Sequence, residues 1–238
     1  MNKCNTVIFD LDGTLMNTLP DIAASVNHAL STLNLPPRSM DEINDFVGNG
    51  IRVLLVLSLK AALHEINNPE LFDDELLAKT LSAFRSHYCV HCKDKSKPYD
   101  GILNLLKDLK QAGFKTAIVS NKPHREVLIL HKEFFSNCID IALGENELAG
   151  IRRKPAPDMV LKALEHLGVE KNECVYVGDS DVDIATAQNA GVECISVLWG
   201  FRKRDFLQAK GATRFAQSPS EVFSIVSSLM LFLQSSHL

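Results

Sequence analysis

No apolar run in this 238-residue chain is long enough to cross a membrane. The two most apolar stretches, residues 51–63 and 222–233, fall short of the roughly 20 residues that a spanning helix needs. The first also carries Arg52 and Lys60. A signal-peptide layout is lacking, because the short apolar run near the N-terminus leads straight into two aspartates. The chain therefore reads as cytoplasmic and free of membrane. Excess positive charge is lacking too. Against 25 Lys and Arg stand 29 Asp and Glu, a net charge of −4, which argues against a nucleic-acid partner held by phosphate neutralisation. A small anion in a local basic pocket remains compatible with it. The six cysteines form no framework. Cys4, Cys138, Cys174 and Cys194 lie in or beside apolar runs, where a free thiol is a small hydrophobe. Cys89 and Cys92 stand with His87 and His91 in a segment of metal-binding residue types. A structural zinc needs a second pair of ligands, and no second CxxC exists, so the segment reads as the end of a helix. Repeats, low-complexity tracts and heptads are absent, which points to a monomer or a small homo-oligomer.

What is present is the balance of a globular protein, 46% hydrophobic and 23% charged, with length for one large domain or two small ones. Residues 6–9, 116–119, 174–177 and 194–198 are short, β-branched and apolar on both faces, and 138–143 is a weaker fifth run of this kind. Such runs suit a parallel sheet covered on both sides. Helical segments alternate with them. In 101–112 the apolar residues Ile102, Leu105, Leu106 and Leu109 recur at helical spacing, and Gly113 stops the run. Pro157 and Gly168 bracket a helix over 158–167, and Ser180 and Gly191 bracket one over 180–190. This alternation predicts a doubly wound α/β fold with a mainly parallel sheet. Between the first strand and the second, residues 18–97 are helical, with turn signals at Pro36-Pro37, Gly48-Asn49-Gly50 and Asn67-Asn68-Pro69. An insertion of that length is no ordinary crossover. The expected organisation is an α/β core over 1–17 and 98–238, with a helical cap over 18–97.

Open doubly wound sheets bind ligands at the carboxyl ends of their strands. The first strand is followed by Asp10-Leu11-Asp12-Gly13-Thr14, and the second by Ser120-Asn121-Lys122-Pro123. Arg152-Arg153-Lys154-Pro155 precedes the fourth strand, which is followed by Gly178-Asp179-Ser180-Asp181-Val182-Asp183. Carboxylates gathered at one sheet edge repel each other unless a cation joins them, and hard oxygen ligands of this kind suit Mg²⁺. A lysine and a hydroxyl beside that cation suit phosphate, and an aspartate can itself attack phosphorus. Each motif also has a plain structural reading: Asp-Gly is a turn dipeptide, and Asp183 fits an N3 acid behind a Ser180 N-cap. Together, each at a strand end, they favour chemistry.

The strings DLDGTL at 10–15, SNKP at 120–123, RKPAPD at 153–158 and VGDSDVDI at 177–184 resemble the haloacid dehalogenase-like hydrolases over nearly the whole chain. Within that family the sequence is most similar to the phosphoglycolate phosphatases. The resemblance implies that Asp10 is the nucleophile and Asp12 the general acid and base, with the Asp12 backbone carbonyl on Mg²⁺. It makes Lys154 the cation that steadies the nucleophile and phosphoryl oxygens. Gly13, Thr14, Ser120 and Asn121 become phosphate ligands, and Asp179 a metal ligand with Asp183 in or next to the metal shell. The implied activity is Mg²⁺-dependent hydrolysis of a small phosphorylated metabolite. Phosphoglycolate comes first, with pyrophosphate, a sugar phosphate or a phosphomutase reaction as alternatives. The chain departs from many relatives at Asn17, near the cap hinge, where Asp is common, and at Asp181, an added acid.

A phospho-aspartate signalling receiver would be about half this length without a large insertion. A dinucleotide enzyme would carry a G-x-G-x-x-G turn after the first strand, where this chain has acids. In the cap, Arg52 follows the Gly48-Asn49-Gly50 turn in the first turn of an apolar helix, where the helix dipole disfavours a cation. It reads either as a surface arginine lying over its neighbours or as the guanidinium that pairs with the substrate's distal carboxylate.

Overall fold

The computed structural model describes residues 4–231, with side chains over residues 4–229. Eight strands run through them: β1 (Thr6–Phe9), β2 (Met16–Asn17), β3 (Lys97–Pro98), β4 (Lys115–Pro123), β5 (Ile141–Glu145), β6 (Cys174–Gly178), β7 (Glu193–Val197) and β8 (Phe215–Ala216). Six of them form one sheet in the order β5–β4–β1–β6–β7–β8, with every pair parallel. Phe9, the last residue of β1, lies opposite both Ile118 and Val177, so Asp10 stands just past the end of the central strand.

The chain divides into two compact units, Met1–Met16 with Pro98–Leu238, and Asn17–Lys97. In the first unit Val7 and Phe9 point to one face of the sheet and Ile8 to the other, all fully buried. Helices cover both faces: α5 (Ile102–Gln111) and α10 (Pro219–Leu231) pack on each other on one, and α7 (Asp158–Leu167) and α8 (Asp181–Ala190) on the other. Gly168 and Gly191, both at positive φ, close α7 and α8. The second unit is four helices, α1 (Leu19–Ser31), α2 (Met40–Phe46), α3 (Ile51–Glu65) and α4 (Asp74–His91). Its core includes Val26, Leu30, Ile43, Leu55, Leu59 and Phe84. A Ser39–Glu42 capping box starts α2, and Asp73 caps α4. Buried Asp21 accepts hydrogen bonds from the Lys95 and Ser96 backbone N–H groups and from the Ser96 hydroxyl.

Four elements differ from those expected, and for two of them the cause is local. The weak strand is 141–145 rather than 138–143, because the Cys138 and Ile139 N–H groups are drawn back to Phe135 O to close the preceding helical segment. β4 runs on through Ser120-Asn121-Lys122-Pro123, because Gly144 leaves room for it: a Cβ there would stand 2.6 Å from Lys122 O. β8 is only two residues and lies too far from any apolar run to be read from pattern. The strand expected at 194–198 is shifted by one residue. Cys92 is the C-cap of α4, and all six cysteines are free thiols. No helix among the described residues is long and apolar enough to cross a membrane; the 222–233 stretch runs past the described residues.

Candidate active site

At the carboxyl edge of the sheet, oxygen atoms of Asp10, Asp179 and Asp183 lie within 4.8 Å of one another, all three residues buried. β1 delivers Asp10 and β6 delivers Asp179 from adjacent strands, while Asp183 returns from the first turn of α8. Lys154 Nζ stands among them, 2.8 Å from Asp10 Oδ1 and 2.7 Å from Asp183 Oδ1. Three carboxylates against one ammonium leave two charges uncompensated. Burial, then the Asp183 charge, pushes the Asp10 carboxyl up to about 7, with Lys154 opposing. Asp179 is raised well above the usual carboxylate range by burial and then by Asp183 and Asp10. Burial works against the Lys154 charge, yet Asp10 and Asp183 hold the ammonium above its ordinary value.

Asp183 has both oxygens fully engaged. Oδ1 accepts from Lys154 Nζ at 2.7 Å and lies 3.0 Å from the Tyr176 hydroxyl. Oδ2 accepts from Ser180 Oγ at 2.6 Å and from the Ser180 and Asp179 N–H groups at 3.1 and 3.2 Å. Asp183 therefore closes the capping box of α8 and at the same time binds Lys154. Asp10 differs: Oδ1 is buried and its neighbour, the Lys154 ammonium 2.8 Å away, forms an ion pair without a well-aligned hydrogen bond. A buried oxygen in that state is costly unless something else occupies its lone pairs. A buried carboxylate oxygen with room for a better-aligned partner, an excess of carboxylates over ammonium and an all-oxygen donor set fit a hard divalent cation.

The Asp12-Gly13-Thr14 turn and the Trp199-Gly200-Phe201 loop frame Asp179. Thr14 Oγ1 donates to Asp179 Oδ1 at 3.3 Å, and the Phe201 N–H donates to Oδ2 at 2.6 Å. Trp199 Nε1 donates to Thr14 O at 3.0 Å. Gly13 has φ +86°, and a Cβ on it would stand 2.4 Å from Asp179 Oδ2. Of the expected phosphate ligands in this turn, the Gly13 N–H donates to Met16 O and the Thr14 hydroxyl to Asp179. The Asn121 side chain is likewise engaged, exchanging hydrogen bonds of 2.7 and 3.1 Å with the Lys154 backbone. It positions the lysine's loop. Ser120 is buried at the end of the apolar part of β4, its oxygen accepting from the Lys122 N–H.

Two residues at this edge escaped the sequence reading. Lys122 Nζ reaches Asp12 Oδ1 and Oδ2 at 2.7 and 2.9 Å. Its only signal was a charge two positions past Ser120, on the same face if the strand continues. Tyr176, fully buried on β6, accepts from Lys154 Nζ at 3.1 Å; in sequence it reads as a core aromatic. Arg52 belongs to the helical unit, on the first turn of α3, with its side chain 61% exposed and 3.6 Å from exposed Asp74.

Comparison with known proteins places this geometry. Residues 7–197 match the family model described as haloacid dehalogenase-like hydrolase. The phosphoglycolate phosphatase of Aquifex aeolicus is 35% identical over 198 residues, covering 83% of this chain and 86% of that protein. That of Pseudomonas putida is 31% identical over 225 residues, covering 94% and 78%. A crystal structure from Lactobacillus delbrueckii subsp. bulgaricus, 37% identical, superposes with a TM-score of 0.87 over 94% of this chain and 99% of that one.

Proposed function

The chain belongs to the haloacid dehalogenase-like hydrolases and is a phosphoric monoester hydrolase of that family; we propose that it cleaves 2-phosphoglycolate to glycolate and phosphate through an aspartyl-phosphate on Asp10. The observation that carries this reading is Asp10 itself: a buried carboxylate just past the end of β1, ion-paired to Lys154 at 2.8 Å and gathered with Asp179 and Asp183 at one sheet edge. A carboxylate in that position can act as a nucleophile toward phosphorus.

In this mechanism Asp10 attacks phosphorus in line, and Asp12 gives its proton to the leaving alkoxide. Asp12 then takes a proton from the water that hydrolyses the acyl phosphate. Lys154 stays charged at any working pH and faces the phosphoryl oxygens from the Asp10 side, with the Ser120 hydroxyl as a further donor. Mg²⁺ would be held by the Asp10 and Asp179 carboxylates and the Asp12 backbone carbonyl, where it supplies positive charge against the transferring phosphoryl group. Asp183, its oxygens already occupied, stands beside that shell and fixes Lys154 and the 179–180 turn. The substrate assignment rests on the identity to the two named phosphatases. A phosphate-release screen with Mg²⁺ over phosphoglycolate, pyrophosphate, sugar phosphates and nucleotides tests it. Phosphoglycolate should give the highest kcat/KM; a higher value for pyrophosphate or a sugar phosphate would overturn the assignment.

A further inference from the structure

Lys122 carries a charge that the mechanism above does not use. It lies on β4, two residues beyond Ser120, and its side chain is 2% exposed. Burying an ammonium is expensive unless a partner and hydrogen bonds offset the lost hydration. Here a carboxylate partner is Asp12, which Lys122 grips at both oxygens, 2.7 and 2.9 Å away, from 110 residues distant in sequence. Asp12 needs such a hold. It stands in the turn between β1 and β2, its side chain 15% exposed, followed by Gly13 at positive φ. A short side chain on a tight turn can adopt more than one staggered rotamer, whereas proton transfer requires the carboxylate within hydrogen-bond reach of the leaving oxygen. The neighbouring strand is better placed to fix it than the turn is. β4 pairs in register with β1 up to Phe9 and Ile118, and the Gly144 gap lets it continue as strand to Pro123.

We infer that Lys122 is a positioning residue for the general acid and base: it holds the Asp12 carboxylate at the place from which both proton transfers occur. The inference rests on the assignment of Asp12 made above. It separates the functions of one strand end, with Ser120 facing phosphate and Lys122 fixing the group that serves the leaving oxygen. A residue that acts through Asp12 has a distinctive signature. Its loss should fall on kcat rather than KM and should be larger for a poor alkoxide leaving group than for an aryl phosphate. It should also vanish when Asp12 can no longer transfer a proton.

A double-mutant cycle reads this directly. Lys122→Met, Asp12→Asn and the double variant are compared with the wild-type chain on phosphoglycolate and on an aryl phosphate, with Mg²⁺ present and folding checked by circular dichroism. Lys122→Met is expected to lower kcat on phosphoglycolate by about 10–100-fold, the scale of a misplaced catalytic group, with KM within about twofold. The loss on the aryl phosphate should be several-fold smaller. In the Asp12→Asn background Lys122→Met should cost nothing further. Should Lys122→Met fail to fold, Lys122→Gln, which keeps one donor toward Asp12, is read in the same cycle and is expected to lose less. Equal losses in the wild-type and Asp12→Asn backgrounds would overturn the inference. So would a raised KM at unchanged kcat, which would make Lys122 a substrate ligand. If Asp12→Asn alone left kcat on phosphoglycolate unchanged, the assignment of Asp12 would fall and this role with it.

Discussion

Removing divalent cations should make the stability of this protein fall as pH rises, and Mg²⁺ should offset that fall. The Asp10 carboxyl is held at about 7 against an unfolded value of 3.8, by burial and then by the Asp183 charge. Asp179 moves in the same direction for the same reasons. Between about pH 4 and 7 the folded chain then binds more protons than the unfolded chain, so unfolding free energy declines with pH across that window. The contribution is fully present below about pH 4 and lost once pH passes the folded value. A shift of this size corresponds to a few kcal/mol, and a chain of this length loses roughly 2–4 °C in Tm per kcal/mol. Metal-free protein should thus melt roughly 5–10 °C lower at about pH 8 than at about pH 5 on this account. A divalent cation present at about 100 times its Kd adds about 2.7 kcal/mol. It should do so at about pH 8, where both carboxylates are ionised, and far less at about pH 5. Scanning calorimetry on chelator-treated protein, with and without Mg²⁺, measures all four conditions. A Tm that rises with pH in the metal-free protein, or a larger Mg²⁺ effect in acid, would refute the electrostatic reasoning. Asp179→Asn should flatten both dependences.

Three further outcomes follow from individual contacts. Asp10→Asn should abolish turnover on every phosphate ester, whereas Asp12→Asn should regain the first half-reaction with an aryl phosphate, because that leaving group needs no proton; a burst assay separates them. Gly13→Ala should lose Mg²⁺ binding by calorimetry and activity together, since its Cβ would stand 2.4 Å from Asp179 Oδ2 at a strained φ. Arg52→Ala should leave Tm unchanged, because an exposed pair with Asp74 at 3.6 Å contributes little. If Arg52 meets the distal carboxylate, the same change should lower kcat/KM for phosphoglycolate strongly and for an aryl phosphate little.

The parts of the site that could be read from sequence are those where one residue follows one strand. Asp10 and Asp179 follow Phe9 and Gly178, and strand ends are visible wherever β-branched apolar runs stop. The capping glycines of α7 and α8 were visible for the same local reason. What could not be read is pairing at long range. The Asn121 amide looks like a free ligand until Lys154, 33 residues on, brings its backbone against it. Lys122 looks like a turn residue unless β4 is known to continue, and that depends on the missing Cβ of Gly144 on a different strand. The bond from the Thr14 hydroxyl to Asp179, in a loop closed by Trp199 and Phe201, is another contact at long range. The displaced fifth strand has the same origin: the apolar run at 138–143 is divided between a helix end and a strand by contacts to Phe135 that no periodicity encodes.

The most direct test is to trap the intermediate. Protein mixed with excess phosphoglycolate and Mg²⁺, quenched in acid within one turnover and reduced with borohydride, converts any aspartyl-phosphate to homoserine. Peptide mass spectrometry should find homoserine at position 10, dependent on substrate and absent from Asp10→Asn. Turnover without any modified aspartate, or modification at Asp12, Asp179 or Asp183 instead, would contradict Asp10 as the nucleophile.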